Sequence, residues 1–141
     1  MTVYQRLTAT KIADWLSTYY LDAGGQPIVC VPSPPVVPDS PDNIVVVTML
    51  PGTGHDYDKA FEVRNFQIRS RSIQNNPQIA EANSMGIDSL FNSMKMPWNP
   101  NGSHVIELGW TGGGPSPLPA DDSANRYSWV CTYYAKAATG Y

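Results

Sequence analysis

The chain is poor in charged residues and cysteine, and it lacks both a basic excess and a long apolar run. Asp, Glu, Lys and Arg make up 15% of its 141 residues, against about 25% in a typical globular protein. The net charge of −3 leaves no basic surface of the kind that free nucleic acid binds. No window approaches the ~20 apolar residues of a membrane-spanning helix. A nucleic-acid reader and an integral membrane protein are both disfavoured.

The only two cysteines, Cys30 and Cys131, lie within apolar or aromatic runs typical of strands. Such positions favour buried structural thiols over reactive ones. The first fifteen residues hold charged side chains and no apolar run, so no signal-peptide pattern is present and both thiols are expected to stay reduced in a cytoplasm. A disulfide between them requires their two strands to be neighbours.

Motifs for catalysis and cofactor binding are scarce. Gly52-Thr53-Gly54 lacks the third glycine and the Lys-Ser/Thr pair of a phosphate-binding loop. No Gly-x-Ser-x-Gly motif occurs, no pair of carboxylates stands out, and a Cys/His pair would need an exposed cysteine. We therefore expect neither enzymatic activity nor a cofactor.

The two histidines could instead belong to a metal site. His55 with Asp56 and Asp58 supplies possible ligands, and His104 with Glu107 completes the set if the two loops meet in space. Both histidines fall in turn-like segments, where an exposed side chain is the commoner outcome. We expect no bound metal.

The stretch from Phe61 to Met94 organises the chain, and its first half predicts a strand over 61–72. Phe66 and Ile68 share one face, while polar side chains alternate onto the other. Phe61 and Val63 have the opposite parity. This slip predicts a β-bulge near Arg64 or Asn65, or a strand that is buried on both faces at its start.

The second half of that stretch predicts a helix over 77–94. Asn75 or Asn76 can cap it, Pro77 suits its first position, and Pro97 ends the pattern. Apolar residues at spacings of three and four form one stripe. Its members are Ile79, Ala82, Gly86, Ile87, Leu90, Phe91 and Met94.

Similar patterns predict the remaining elements. A first helix runs from Thr8 or Thr10 to about Tyr20, and strands span 27–31, 44–50, 105–110 and 126–135. The unbroken apolar run 44–50 indicates a central strand covered on both faces. Strand 126–135 is expected to pair antiparallel with 105–110. The apolar face of the first helix comprises Ile12, Ala13, Trp15, Leu16, Tyr19 and Tyr20.

Three long loops separate these elements, at 32–43, 51–59 and 111–125. The first holds five prolines, which cannot donate a continuous ladder of hydrogen bonds, and the last is rich in glycine and proline. The sequence therefore predicts a single α+β domain spanning 1–141. Its sheet is antiparallel or mixed, with about four to five strands, and two helices pack on one face.

Three arginines form the densest cationic feature of the chain. Arg69 and Arg71 are predicted on one strand face, with Arg64 close by. A solvated face, or pairs with nearby acids, is the plain interpretation. The functional alternative is a seam of salt bridges between subunits, since the planar fork of arginine bonds carboxylates bidentately.

The order of these features resembles the tail terminators of long-tailed bacteriophages, which are also called minor capsid or tail-completion proteins. The resemblance rests on residues 43–52 (NIVVVTMLPG), 61–71 (FEVRNFQIRSR), the alanine-containing helix after Pro77, and 126–135 (RYSWVCTYYA). Versions from phages of actinobacteria are the most similar.

The resemblance implies a structural virion protein, assembled in the host cytoplasm, that forms a homohexameric ring. Such a ring caps the tail tube, stops its polymerisation and presents the surface on which the head docks. The implied partners are further copies, the tail tube protein and neck proteins, with DNA only as cargo passing through the channel. Arg64, Arg69 and Arg71 are the candidate subunit contacts. Candidate docking residues are His55, Asp56, Tyr57, Trp110 and Asp121.

Two alternatives remain open. A head-completion or stopper ring of the neck has a similar composition and fold. A soluble binding module, with a ligand pocket between loops lined by Trp98, Trp110, Trp129 and tyrosines, belongs to a different class.

Overall fold

Two α-helices and six strands form the computed structural model, which describes residues 3–22, 24–32, 41–55, 60–73, 76–118 and 126–140. The predicted α+β fold is confirmed, with six strands where four or five were expected. The additional strand is β5, within the segment 111–125. The elements are α1 (Ala9–Tyr19), β1 (Cys30–Pro32), β2 (Ile44–His55), β3 (Phe61–Ser72), α2 (Pro77–Ser93), β4 (Val105–Trp110), β5 (Ser116–Pro117) and β6 (Tyr127–Ala138), with a 3₁₀ turn at Pro100–Gly102.

The six strands form one mixed sheet in the order β1-β2-β3-β6-β4, and β5 pairs with β6 alongside β4. β1 runs parallel to β2, and all other pairs are antiparallel. The predicted pairing of β4 with β6 is confirmed. β6 also pairs with the full length of β3, so these two strands form the centre of the sheet.

Both helices pack on one face of the sheet, as predicted. α1 lies against β1 and β2, and α2 lies against β3 and β6. The core between the layers is strongly aromatic. The ring of Phe91 on α2 has its centroid 5.0 Å from that of Tyr133 and 6.1 Å from that of Phe66. On the other side of Phe91, its centroid is 5.3 Å from that of Trp98.

The first helix follows its local signals closely. Thr8 is the cap, since its side-chain oxygen accepts from the backbone N–H of Lys11 at 3.3 Å. Ile12, Ala13 and Leu16 are fully buried, as predicted. Tyr19 is 62% exposed, so its expected place in the apolar face was wrong.

The second helix begins and ends where predicted, but its buried face differs from the expected stripe. Ala82 is exposed, whereas Asn83 and Asp88 are buried together with the apolar Ile87 and Phe91. Asn83 accepts a hydrogen bond from the hydroxyl of Tyr20, and Asp88 has three donors around it. Polar side chains with such partners are buried at little cost. Apolar periodicity alone therefore predicted a buried face of α2 that is rotated by part of a turn from the observed one.

The predicted break in strand pairing exists, but it lies in β2 and not in β3. β3 pairs with β6 in one unbroken register, while β2 shifts against β3 between Leu50 and Gly54. Gly52 lies within this shift, where an added Cβ would come within 2.0 Å of the carbonyl oxygen of Val63. Only glycine fits that approach, so the extra residues are accommodated in β2.

Strand β1 begins later than predicted. The chain first turns back on itself, with the carboxylate of Asp22 accepting from the backbone N–H groups of Gly24 and Gln26, both at 2.9 Å. Pro27 then forms an isolated bridge with Leu21 before the chain joins the sheet. The tight turn thus takes up residues that the apolar pattern assigned to the strand.

Other expectations concern the central strand and the two cysteines. Residues 44–47 of β2 are buried on both faces, as predicted, but residues 48–50 are only partly buried and β2 lies beside the two central strands. Cys30 on β1 and Cys131 on β6 are both buried free thiols. Two strands separate them, or roughly 14 Å at normal strand spacing, so they cannot form a disulfide. No described helix is long and apolar enough to cross a membrane.

Replacement of Phe91 by alanine tests the aromatic core. We expect Phe91→Ala to lower the free energy of unfolding by about 3–5 kcal/mol, because it leaves a cavity among Phe66, Trp98 and Tyr133. Urea unfolding followed by circular dichroism measures the change. Met85→Ala, at a 43% exposed position on the same helix, is the control and should cost far less. Equal losses would contradict this packing.

Candidate functional site

The sheet face opposite the helices is one candidate surface, which we call the open face. It comprises Thr48 of β2, Gln67 and Arg69 of β3, and Val130 and Thr132 of β6, which the strand registers place side by side. All five are partly exposed, and neither helix packs on them. Polar, partly exposed side chains of this kind can contact another protein surface.

The three candidate arginines divide between the two faces. Arg69 and Arg71 share the open face, as predicted, while Arg64 lies on the helix face. Arg69 donates from Nε to the hydroxyl of Ser128 at 3.2 Å. Arg71 is only 3% exposed. Whether any of the three contacts a second copy stays a prediction.

Arg71 holds the start of β2 in place. Its guanidinium donates to the carbonyl oxygens of Pro41 and Asp42 at 2.7 and 3.2 Å. Arg126, also buried, pairs with the carboxylate of Asp42 at 3.1 Å. Local sequence patterns do not reveal this network, because its members are separated by about thirty to eighty positions.

Arg64 belongs to a second charged cluster at the other end of β3. The carboxylate of Glu62 is buried and accepts from Arg6 at 2.9 Å and from Arg64 at 3.3 Å. Removal of either arginine would leave a buried carboxylate less well compensated. These pairs lie within one chain, as the plain interpretation of the arginines anticipated.

The carboxylate of Asp88 connects α2 to two strands. It accepts from the indole Nε1 of Trp110 at 2.7 Å, the hydroxyl of Tyr133 at 2.8 Å and the side-chain amide of Asn92 at 3.1 Å. Burial is the main cause that raises the pKa of Tyr133, so this hydroxyl remains a donor at neutral pH. Trp110, one of the predicted docking residues, is held by this cluster yet remains 46% exposed.

The other predicted docking residues lie mostly outside the described residues. Asp56, Tyr57 and Asp121 are not described, and of His55 only the backbone is, paired with Glu62 at the end of β2. Their docking role stays a prediction.

A groove with both apolar and polar side chains lies between the segment after α1 and the first half of α2. It encloses about 490 Å³ and is lined by Ile28, Val29, Ile79 and Ala82, among others. A second groove of about 570 Å³ continues along α2 and shares Asp22 and Ala82 with the first. Exposed Tyr19 and Leu21 line this second groove.

Tyr20 lines the second groove and contacts Asn83, which lines the first. Its hydroxyl donates to Asn83 at 2.8 Å, and its ring lies so close to Gly86 that an added Cβ would come within 2.8 Å of the hydroxyl oxygen. Any larger residue at 86 would displace Tyr20 from α2.

No tryptophan lines either groove. Trp98, expected in a ligand pocket, is buried in the core, where its ring meets that of Trp15 edge-on at 5.2 Å. Trp110 and Trp129 lie on the sheet at β4 and β6. The structure thus does not gather these three residues around one pocket.

Within the described residues, no three His, Cys, Asp or Glu side chains are grouped to hold a metal ion. His104 stacks on Tyr4 with ring centroids 4.2 Å apart, and its Nδ1 lies 3.0 Å from the amide of Asn99. Glu107 accepts from the hydroxyl of Tyr134 at 2.8 Å. These two predicted metal-ligand candidates therefore have other partners.

Comparison with known families gives one match. A family model described as "Bacteriophage tail terminator protein" matches residues 35–139. A search of the curated proteins found no match.

The Asp88 cluster generates a stability prediction. We expect Asp88→Ala to lower the free energy of unfolding by about 2–4 kcal/mol, because it leaves Trp110 and Tyr133 without their acceptor. Asp88→Asn keeps one acceptor oxygen and should cost less. Urea unfolding and the near-ultraviolet circular dichroism of the aromatic rings measure both effects. Glu81→Ala, at an exposed position on the same helix, should change neither the free energy of unfolding nor the near-ultraviolet spectrum.

The buried hydroxyl of Tyr20 and the buried thiol of Cys30 lead to a prediction for alkaline pH. Burial raises the pKa of Cys30 from 9.0 to about 11 and that of Tyr20 from 10.0 to about 12. Between pH 9 and 12 the unfolded chain therefore binds fewer protons than the folded one, so the free energy of unfolding falls as pH rises.

Urea titrations at several alkaline pH values measure this fall. We expect it to be shallower in Cys30→Ala and Tyr20→Phe, each relative to its own stability near neutral pH. Tyr19→Phe, at an exposed position, is the control. An unchanged slope in both test variants would contradict the assignment to these two groups.

Proposed function

We propose that copies of this chain close into a ring at the end of the phage tail tube. The ground for this proposal is that the chain belongs to the bacteriophage tail terminator family. The family is one of structural tail proteins, which makes the chain a virion component. The match over residues 35–139 carries the proposal, since it includes every strand of the sheet after β1 and the whole of α2.

The proposed mechanism is geometric and requires no catalysis. Six copies form a ring with one side complementary to the last ring of the tail tube and the other to the neck. The capped tube stops growing, and a filled head can dock. The net charge of −3 supports a channel through which DNA passes without being retained.

Features of the fold support such an assembly. Within the described residues, the open face carries partly exposed polar side chains, and the two grooves carry partly exposed apolar ones. Interfaces between subunits use surfaces of this kind, with an apolar centre and a polar rim. The low content of charged side chains, 15%, keeps repulsion between identical copies small.

The three arginines take different parts in this proposal. Arg69, which is partly exposed on the open face, is the best placed of them to contact a neighbouring subunit. Arg64 is tied to Glu62, and Arg71 to the chain at Pro41 and Asp42. We propose that these two position the ends of β3 and that a subunit contact falls mainly to Arg69.

Electron microscopy of phage particles made without this gene tests the role in the virion. We expect overlong tails without heads, because nothing ends tube growth or joins the head. Complementation with the intact gene should restore normal particles. Tails of normal length beside heads that have lost their DNA would instead identify a stopper of the neck, and the terminator proposal would be abandoned.

A further inference from the structure

The sequence contains a single Asn-Gly pair, Asn101-Gly102, and it lies in the 3₁₀ turn between α2 and β4. Both residues of the pair are exposed, whereas Pro100 before them and Ser103 after them are buried. The turn is therefore anchored in the protein at both ends and open to water in its middle.

The backbone conformation of the turn accounts for these two residue types. Asn101 has a φ of 47° and a ψ of 46°, in the left-handed region that asparagine tolerates better than most residues with a side chain. Gly102 follows with a φ of 90°, which favours glycine. The fold thus places a side-chain amide directly before a residue that has no side chain.

An asparagine in such a pair can react with its own main chain. The backbone nitrogen of Gly102 loses its proton and attacks Cγ of Asn101, so a new carbon–nitrogen bond closes a five-membered succinimide ring. The bond from Cγ to the side-chain nitrogen breaks, and this nitrogen leaves as ammonia with the proton that the backbone nitrogen lost. Water then adds to one of the two ring carbonyl carbons and opens the ring.

The two ways of opening the ring give two products at position 101. One is aspartate, with the main chain as before. The other is isoaspartate, in which the main chain runs through the former side chain and is longer by one carbon atom. No oxidant or reductant takes part, since the net change replaces an amide by a carboxylate and consumes water.

The surroundings of Asn101 permit this reaction. No described residue hydrogen-bonds to its side-chain amide, although its backbone carbonyl has a partner. The attack needs a rotation about the Cα–C bond of Asn101, and Gly102 offers no side chain that would hinder it. Because both residues are exposed, water can reach the ring once it has formed.

We infer that Asn101 is a site of spontaneous deamidation in the folded protein, with aspartate and isoaspartate as the products. Water is the only co-reactant. This inference concerns the chemical ageing of the single chain, and it does not depend on the proposed role in the virion.

The same turn holds the N-terminal segment, which we define as residues 3–7. The carbonyl oxygen of Gly102 accepts from the backbone N–H of Gln5 at 2.9 Å, and that of Asn101 accepts from Nζ of Lys11 at 3.2 Å. Leu7, at the end of the segment, is fully buried in the core. Because isoaspartate lengthens the main chain beside Gly102, we expect the modification to weaken the bond to Gln5 and loosen the segment.

Peptide mass spectrometry of stored protein tests the modification. The purified full chain is kept folded at mildly acidic and mildly alkaline pH and is then digested under acidic conditions. We expect the peptide that contains Asn101 to gain the mass difference between a hydroxyl and an amino group and to separate into two isomers. The reaction should be faster at alkaline pH, because the attacking nitrogen must lose its proton.

Two other exposed asparagines are controls within the same molecule. Asn99 precedes Pro100, which has no N–H to deprotonate, so it should remain unmodified. Asn92 lies on α2, and its side-chain amide donates to Asp88 at 3.1 Å, so it should react far more slowly than Asn101. Fragmentation of the peptides assigns each mass change to one residue.

Hydrogen exchange followed by nuclear magnetic resonance tests the consequence for the N-terminal segment. In stored protein we expect the protection of the Gln5 amide to fall by about two- to tenfold, the loss of one hydrogen bond. The amide of Tyr20, bonded to Leu16 at the far end of α1, should not change. Asn101→Gly, which permits the same backbone conformation and has no side-chain amide, should keep its Gln5 protection on storage.

The outcomes decide each part of the inference. An Asn101 that stays intact in the folded chain, while the same chain in urea is modified there, would overturn the site, because the turn would then protect it. Equal reaction at Asn99 would overturn the succinimide route. A modified chain with unchanged Gln5 protection, or an equal loss of protection in stored Asn101→Gly, would overturn the link to the N-terminal segment.

Discussion

The architecture of the helix side depends on one buried carboxylate. Asp88 lies in the C-terminal half of α2 and accepts hydrogen bonds from β4 through Trp110 and from β6 through Tyr133. An isolated carboxylate would be costly to bury, but three donors offset much of that cost. The same side chain therefore links α2 to two strands of the sheet. It contacts the aromatic core at Tyr133 and holds the indole of Trp110 at the surface.

Much of the fold could be predicted from local sequence because its signals are short-range. The Thr8 cap, the Pro77 start and the strand 105–110 each depend on residues within a few positions. The buried face of α2 could not be predicted in this way. Asn83 and Asp88 are buried because Tyr20, Trp110 and Tyr133 reach them from distant parts of the chain, and apolar periodicity contains no information about such partners.

The candidate surfaces show the same division. Strand parity correctly placed Arg69 and Arg71 on one face. Parity could not show that Arg71 donates to the carbonyl groups of residues 41 and 42, because these groups approach it only when β2 and β3 are paired. Trp110 was predicted at the end of strand 105–110 and as a docking residue, but its contacts with Asp88 and Gly114 are apparent only in three dimensions. The grooves combine segments more than fifty residues apart, beyond the reach of any local pattern.

The two edges of the sheet bear on how copies of this protein can meet. β1 is three residues long and ends in Pro32, and β5 is two residues long and ends in Pro117. β4 shifts register between Val105 and Glu107, and its first residue is already bridged by Trp98. Short strands, prolines and bulges discourage strand addition, which otherwise leads from a free edge to fibrous aggregates. Copies of such a protein can therefore stay apart at high concentration, because the described sheet edges do not favour the addition of a further strand.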